Sequence, residues 1–124
     1  MVEDEPAVRA IATRSLERAG FRVLQASGGA AALEVIKQYG QPDVVLTDLM
    51  MPGIGGNELA RRLVERWPAL PILFMSGYSV VDLQRQGAAG FDRVTIQKPF
   101  TPDALVGSVV AALARAGTSK PASD

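Results

Sequence analysis

Along this chain, stretches with apolar residues every three or four positions alternate with short, nearly unbroken apolar runs. The first pattern marks a helix with one buried face, the second a strand covered on both sides. Val8, Ile11, Ala12, Leu16 and Ala19 set the first helical period; Asp4 or Glu5 can cap it, Pro6 suits its first turn and Gly20 stops it. Residues 21–26 alternate apolar with polar, as a half-exposed strand does. Ser27, Gly28 and Gly29 open a second helix on Ala32, Leu33 and Ile36, which stops near Gly40. Pro42 leads into an apolar run, 44–46, that continues through Thr47 to Asp48. After a loop rich in Pro and Gly, a third helix is predicted over about 57–67, with Ala60, Leu63, Val64 and Trp67 inward. Its Arg61, Arg62, Glu65 and Arg66 read as a solvated face rather than a nucleic-acid patch, because no aromatic interleaves them. Residues 71–75 form another apolar run. Val80, Val81 and Leu83 suggest a short helix within 78–92, interrupted by Gly87 and Gly90 and expected to be the most mobile piece. Residues 93–97 read as a final strand, and Thr101 and Pro102 begin a last helix on Leu105, Val109, Ala112, Leu113 and Ala116. Residues 117–124 read as a flexible polar tail behind a single domain of residues 1–116.

Helices and strands alternating in this way predict an α/β sandwich around a parallel sheet with right-handed crossovers. In such a sheet all strand carboxyl ends lie on one edge, where ligands bind. Asp48, Ser76 and Lys98 each directly follow a predicted strand, and Glu3 and Asp4 follow the two apolar residues at the start. Alone, Asp48 would read as a turn residue. Together the five should meet in one crevice.

Composition narrows what that crevice can do. Thirteen basic and thirteen acidic side chains leave no net charge to draw the chain to nucleic acid or an anionic membrane. No apolar run is long enough to span a bilayer, and no signal peptide is visible. With neither cysteine nor histidine, the chain has no disulfide, thiolate or imidazole chemistry. Carboxylates, hydroxyls and amines remain. Three carboxylates close together repel unless a cation joins them, and Mg²⁺ takes oxygen ligands while keeping several waters. Lys98 offers a point charge to an anion and Ser76 a hydroxyl. Asp48 then reads as a carboxylate nucleophile for phosphoryl transfer, a reaction that asks mainly for positioning and electrostatics. A plain Lys98–Asp48 ion pair at rest is compatible with that chemistry.

At this point the chain resembles the receiver domain of bacterial response regulators. The matching pieces are Val2-Glu3-Asp4-Glu5, Asp48-Leu49-Met50-Met51-Pro52-Gly53, Met75-Ser76-Gly77 and Lys98-Pro99-Phe100, covering residues 2 to about 115. The resemblance implies a flavodoxin-like (βα)5 three-layer sandwich with sheet order 2-1-3-4-5. It implies Asp48 as phosphoacceptor, with Glu3, Asp4, Asp48 and the backbone carbonyl of Met50 holding Mg²⁺. Ser76 would be the switch hydroxyl and Lys98 the phosphate-contacting lysine, in a Lys98-Pro99 bond that is usually cis. The implied donor is a phosphohistidine on a histidine kinase or phosphotransfer domain. The implied setting is cytoplasmic two-component signalling without nucleic-acid or membrane contact, with room for a homodimer. Such a domain catalyses its own phosphorylation and dephosphorylation without being a turnover enzyme. The phrasing around 75–78 and 97–102 resembles receivers attached to hybrid sensor kinases.

Three departures from the family stand out. The opening strand is largely missing: only Met1 and Val2 precede the acids, against a usual length of about five residues. A truncated or misplaced start, or a partner filling the gap, would account for this. Thr95 stands where the family usually has an aromatic switch residue, and Met50 where a polar side chain often positions hydrolytic water, which predicts slow dephosphorylation. The abbreviated first strand favours an alternative, a pseudo-receiver that binds proteins without being phosphorylated. A small-molecule phosphatase on a similar fold is disfavoured, since such enzymes carry a second acid where this chain has Met50.

Overall fold

The computed structural model of the chain describes residues 1–77 and 95–115. Helix α1 (Pro6–Arg18) is followed by α2 (Gly29–Tyr39), β1 (Val45–Asp48), α3 (Gly56–Arg66), β2 (Ile72–Ser76), β3 (Thr95–Gln97) and α4 (Pro102–Arg115). The expected helix within 78–92 and the tail at 117–124 lie outside the described residues.

The three strands run parallel in the order β1-β2-β3, with Asp48 opposite Met75 and Ser76 opposite Gln97. Val2 extends this sheet by bridging Thr47 on one side and Ala26 on the other, both in parallel. The spatial sequence is therefore the 24–26 segment, Val2, β1, β2, β3. The first strand is not wholly absent: its last rungs are present and central. Val2 N–H donates to Leu46 O and Asp48 N–H to Val2 O, both at 2.8 Å. On the other flank Ala26 N–H donates to Met1 O at 2.9 Å and Glu3 N–H to Ala26 O at 3.0 Å.

Residues 21–26 do not form the expected strand; only Ala26 is bridged. Alternating polarity fits a strand, but a strand also needs a neighbour to bond, and Met1–Val2 reach only as far as Leu24 and Ala26. The Met1 amine donates to Leu24 O at 2.9 Å, and burial lowers its pKa to about 6. Beyond it lies a cavity of about 330 Å³ lined by Phe21, Val23, Leu24, Val44, Leu46 and Leu113 among others.

Helices cover both sheet faces, and alternate strand residues divide between them. Val45, Ile72 and Phe74 pack with Ala32 of α2 and with Leu59 and Leu63 of α3. Leu46, Leu73, Met75 and Ile96 pack with Ala12 and Leu16 of α1 and with Leu105, Val109 and Leu113 of α4. This three-layer arrangement is the flavodoxin-like architecture. Ile11, expected inward, is 57% exposed, and its neighbours Ala12 and Thr13 take the buried stripe instead. Glu5 occupies the N-cap position of α1 and Gly28 that of α2, neither with a side-chain cap bond. Ser27, expected to open α2, lies before that cap and is exposed. Thr101 does cap α4: its Oγ1 accepts from Ala104 N–H at 3.1 Å.

Candidate functional site

β1 and β2 lie side by side with their carboxyl ends on the same edge, and Val2 brings the amino terminus to that edge. Asp48 closes β1 as a buried residue, and Ser76 closes β2, also buried. Helix α3 starts hard against this edge. A Cβ on Gly56 would collide with the Asp48 carbonyl, so only glycine lets the helix come this close. The Gly56 N–H donates to Leu49 O at 2.9 Å and ties the intervening loop shut.

Glu3, Asp4 and Asp48 each offer a carboxylate oxygen, and the three oxygens lie within 4.8 Å of one another. Asp4 is exposed, while the Glu3 side chain is fully buried. Lys98 reaches in from just beyond β3 and links two of these acids. Its Nζ donates to Glu3 Oε1 at 2.8 Å and to Asp48 Oδ2 at 3.1 Å. Burial works against the lysine's charge, but its hydrogen bonds to Glu3 and Asp48 outweigh it, and the pKa stays above the usual value. The ammonium is therefore fully charged at neutral pH. Lys98 also donates its backbone N–H to Ser76 O at 2.7 Å, and the following Lys98-Pro99 bond is cis.

The remaining Glu3 groups are also engaged. Its Oε2 accepts from Glu5 N–H at 3.1 Å, and its backbone carbonyl accepts from Arg9 Nη1 at 2.8 Å. Met50 lies in the loop after β1 and is 59% exposed. Thr95 opens β3.

The structure thus gathers the carboxylates of Glu3, Asp4 and Asp48, with Lys98 bonded to Glu3 and Asp48, Ser76 at the adjacent strand end and Met50 on the flanking loop. The sequence reading paired Lys98 with Asp48; the shorter of its two bonds goes to Glu3. Arg9 was missed. A single arginine in an amphipathic helix looks like any solvated cation, and a bond to a backbone carbonyl leaves no trace in residue types.

Oxygen donors at this spacing fit a hard divalent cation. In general Mg²⁺ takes oxygen ligands at about 2.0–2.1 Å and keeps several of its waters, so Glu3, Asp4 and Asp48 are the residues that would hold it here. The charge balance agrees, since among the described residues three carboxylates face one lysine in the pocket.

Comparison with known proteins gives a consistent result. The response regulator receiver domain family matches residues 1–110. The response regulator receiver protein CpdR of Brucella abortus is 36% identical over 110 residues, spanning 88% of this chain and 90% of CpdR. The sensor kinase CckA of the same organism is 34% identical over 110 residues, but the match spans 12% of that longer protein. Among solved structures, a response regulator receiver protein from Sinorhizobium medicae superposes with a TM-score of 0.80 at 29% identity, covering 93% of this chain and 92% of the other. The receiver domain of the hybrid histidine kinase CckA superposes with a TM-score of 0.74 at 32% identity, covering 90% and 94%. With the acidic crevice, the parallel sheet and these relatives all in agreement, the chain belongs to the response regulator receiver domains of two-component systems.

Proposed function

We propose that Asp48 accepts a phosphoryl group from a phosphohistidine and that Mg²⁺ held by Glu3, Asp4, Asp48 and the Met50 carbonyl assists the transfer. The observation that carries this reading is Lys98 Nζ lying between Glu3 Oε1 and Asp48 Oδ2. A cation already fixed at the reacting carboxylate is placed to meet an incoming phosphoryl oxygen. An Asp48 carboxylate oxygen attacks phosphorus; the O–P bond forms as the donor N–P bond breaks, and the imidazole leaves with the electron pair and takes up a proton. Lys98 turns from Asp48 to the transferred group, and Ser76, at the end of β2, supplies a hydroxyl to it. When bound, Mg²⁺ offsets negative charge on the phosphoryl oxygens. Both Glu3 carboxylate oxygens are already hydrogen bonded, so Glu3 joins a hydrated ion most readily through water.

The chain has no histidine, so the donor lies on another domain, a histidine kinase or phosphotransfer protein of the cytoplasm. Among the described residues no helix is long and apolar enough to cross a membrane. Met50 brings no hydrogen-bonding side chain to the crevice mouth, which favours a slowly hydrolysed phosphoprotein. The alternative is an interaction module on the same fold whose Asp48 is never phosphorylated. One experiment separates the two. The chain is incubated with acetyl phosphate and Mg²⁺, and its intact mass is followed. A gain of one phosphoryl group, lost on Asp48→Asn and decaying over minutes rather than seconds, is expected. No gain, or a gain that survives Asp48→Asn, rejects phosphorylation at this residue.

A further inference from the structure

We propose that Arg9 is a positioning residue for the metal-binding acids, a role that rests on the reading of Glu3, Asp4 and Asp48 as the Mg²⁺ site. Residues 3–5 carry two of those acids at the point where the chain turns out of the sheet into α1. Val2 spends both its backbone groups on β1, and Glu3 gives its N–H to Ala26. The Glu3 carbonyl is where the chain leaves the sheet, and there the guanidinium of Arg9 takes hold at 2.8 Å. Arg9 itself is set by the first turn of α1, where its N–H donates to Glu5 O at 2.9 Å. The helix thus reaches back and clamps the segment from which it springs. A planar, charged donor suits such a clamp, because a charge-assisted bond is stronger than a neutral one and the fork has few ways to sit.

The clamp fixes the backbone on either side of the acidic pair. It orients the Glu3 carboxylate toward Lys98 and sets the place from which exposed Asp4 projects. The sign of its effect on metal binding tells positioning from simple charge. A guanidinium beside a cation site repels the cation, so through space alone its removal would tighten Mg²⁺ binding. Through position, its removal weakens binding.

The test is calorimetric titration of the full chain with MgCl₂, with thermal melting in EDTA as a separate measure of folding. Arg9→Ala should raise the Mg²⁺ dissociation constant by about tenfold or more, as loss of an outer-shell support commonly does. Arg9→Lys, with charge kept and the fork lost, should fall between Arg9→Ala and wild type. Arg14→Ala, at an exposed position of the same helix, should match wild type. Equal or tighter Mg²⁺ binding by Arg9→Ala overturns the role. If Arg9→Ala fails to fold, Arg9→Lys decides: affinity indistinguishable from wild type overturns it. Failure of the wild-type chain to bind Mg²⁺ instead sinks the underlying site assignment, and this inference with it.

Discussion

Thr13 is buried in α1, and its hydroxyl has no hydrogen-bond partner among the described residues. An enclosed hydroxyl without a partner has given up its water and received nothing back. Thr13→Val keeps the branched shape and removes the orphan group, and should stabilise the fold by about 1 kcal/mol. Urea denaturation checks this, and a lower midpoint for the variant would show that the hydroxyl is satisfied after all. At this scale, legibility followed the type of contact. Asp48, Ser76 and Lys98 could be read because a polar residue directly after an apolar run is conspicuous and the fold aligns such positions. Glu3 as the nearer partner of Lys98 could not, since strand-end logic brings the two together without ranking them. Thr13 looked like an ordinary helix residue, and whether its oxygen finds a partner depends on neighbours far along the chain.

Elements formed where their requirements were local. The predicted helix boundaries hold to within a residue or two for α1, α2, α3 and α4, because apolar spacing and punctuating Pro and Gly act within the segment itself. Gly40, at φ +90° after α2, is one such stop that a side chain would strain. Residues 21–26 had the right pattern but too little of a neighbour to pair with, a condition that no residue of the segment reveals. Surface chemistry on α3 was also local. Glu58 accepts from Arg61, three residues on, and from Arg62, four on, the latter at 2.8 Å. The hydrogen bonds from these two arginines lower its pKa to about 2 from 4.5. Because the folded value is the lower one, the stabilisation is present in full above pH 4.5 and fades as pH falls toward 2. Carboxyl chemical shifts followed through an acid titration should place the Glu58 midpoint well below that of a free glutamate. Raising the salt concentration should move the midpoint back up, since the pair is exposed and screened. A midpoint near 4.5 at low salt would mean that the bonds do not persist in solution.

For the molecule as a whole, the alternation of helix and strand in the sequence is enough to predict that five polar residues share one edge. Parallel topology does this: every strand points its end the same way, so sequence position translates into spatial position. Topology does not say how the crowded negative charge is managed, and that predicts a measurable response. Mg²⁺ that binds the folded chain alone stabilises it by about 2.7 kcal/mol at a concentration a hundred times the dissociation constant. The melting temperature should rise by several degrees with MgCl₂, return with EDTA, and respond far less in Asp4→Asn. An equal rise in Asp4→Asn would place the ion elsewhere.

The hydrogen bond between Lys98 and Glu3 joins residues 95 positions apart. During translation Glu3 and Asp48 leave the ribosome long before Lys98 does. A partly synthesised chain therefore displays Asp48, the proposed acceptor, without the amine that bonds it in the folded domain. Nascent receivers on a polysome should stay silent to the kinase, and the capacity to receive a signal should switch on late, near the end of synthesis of the domain.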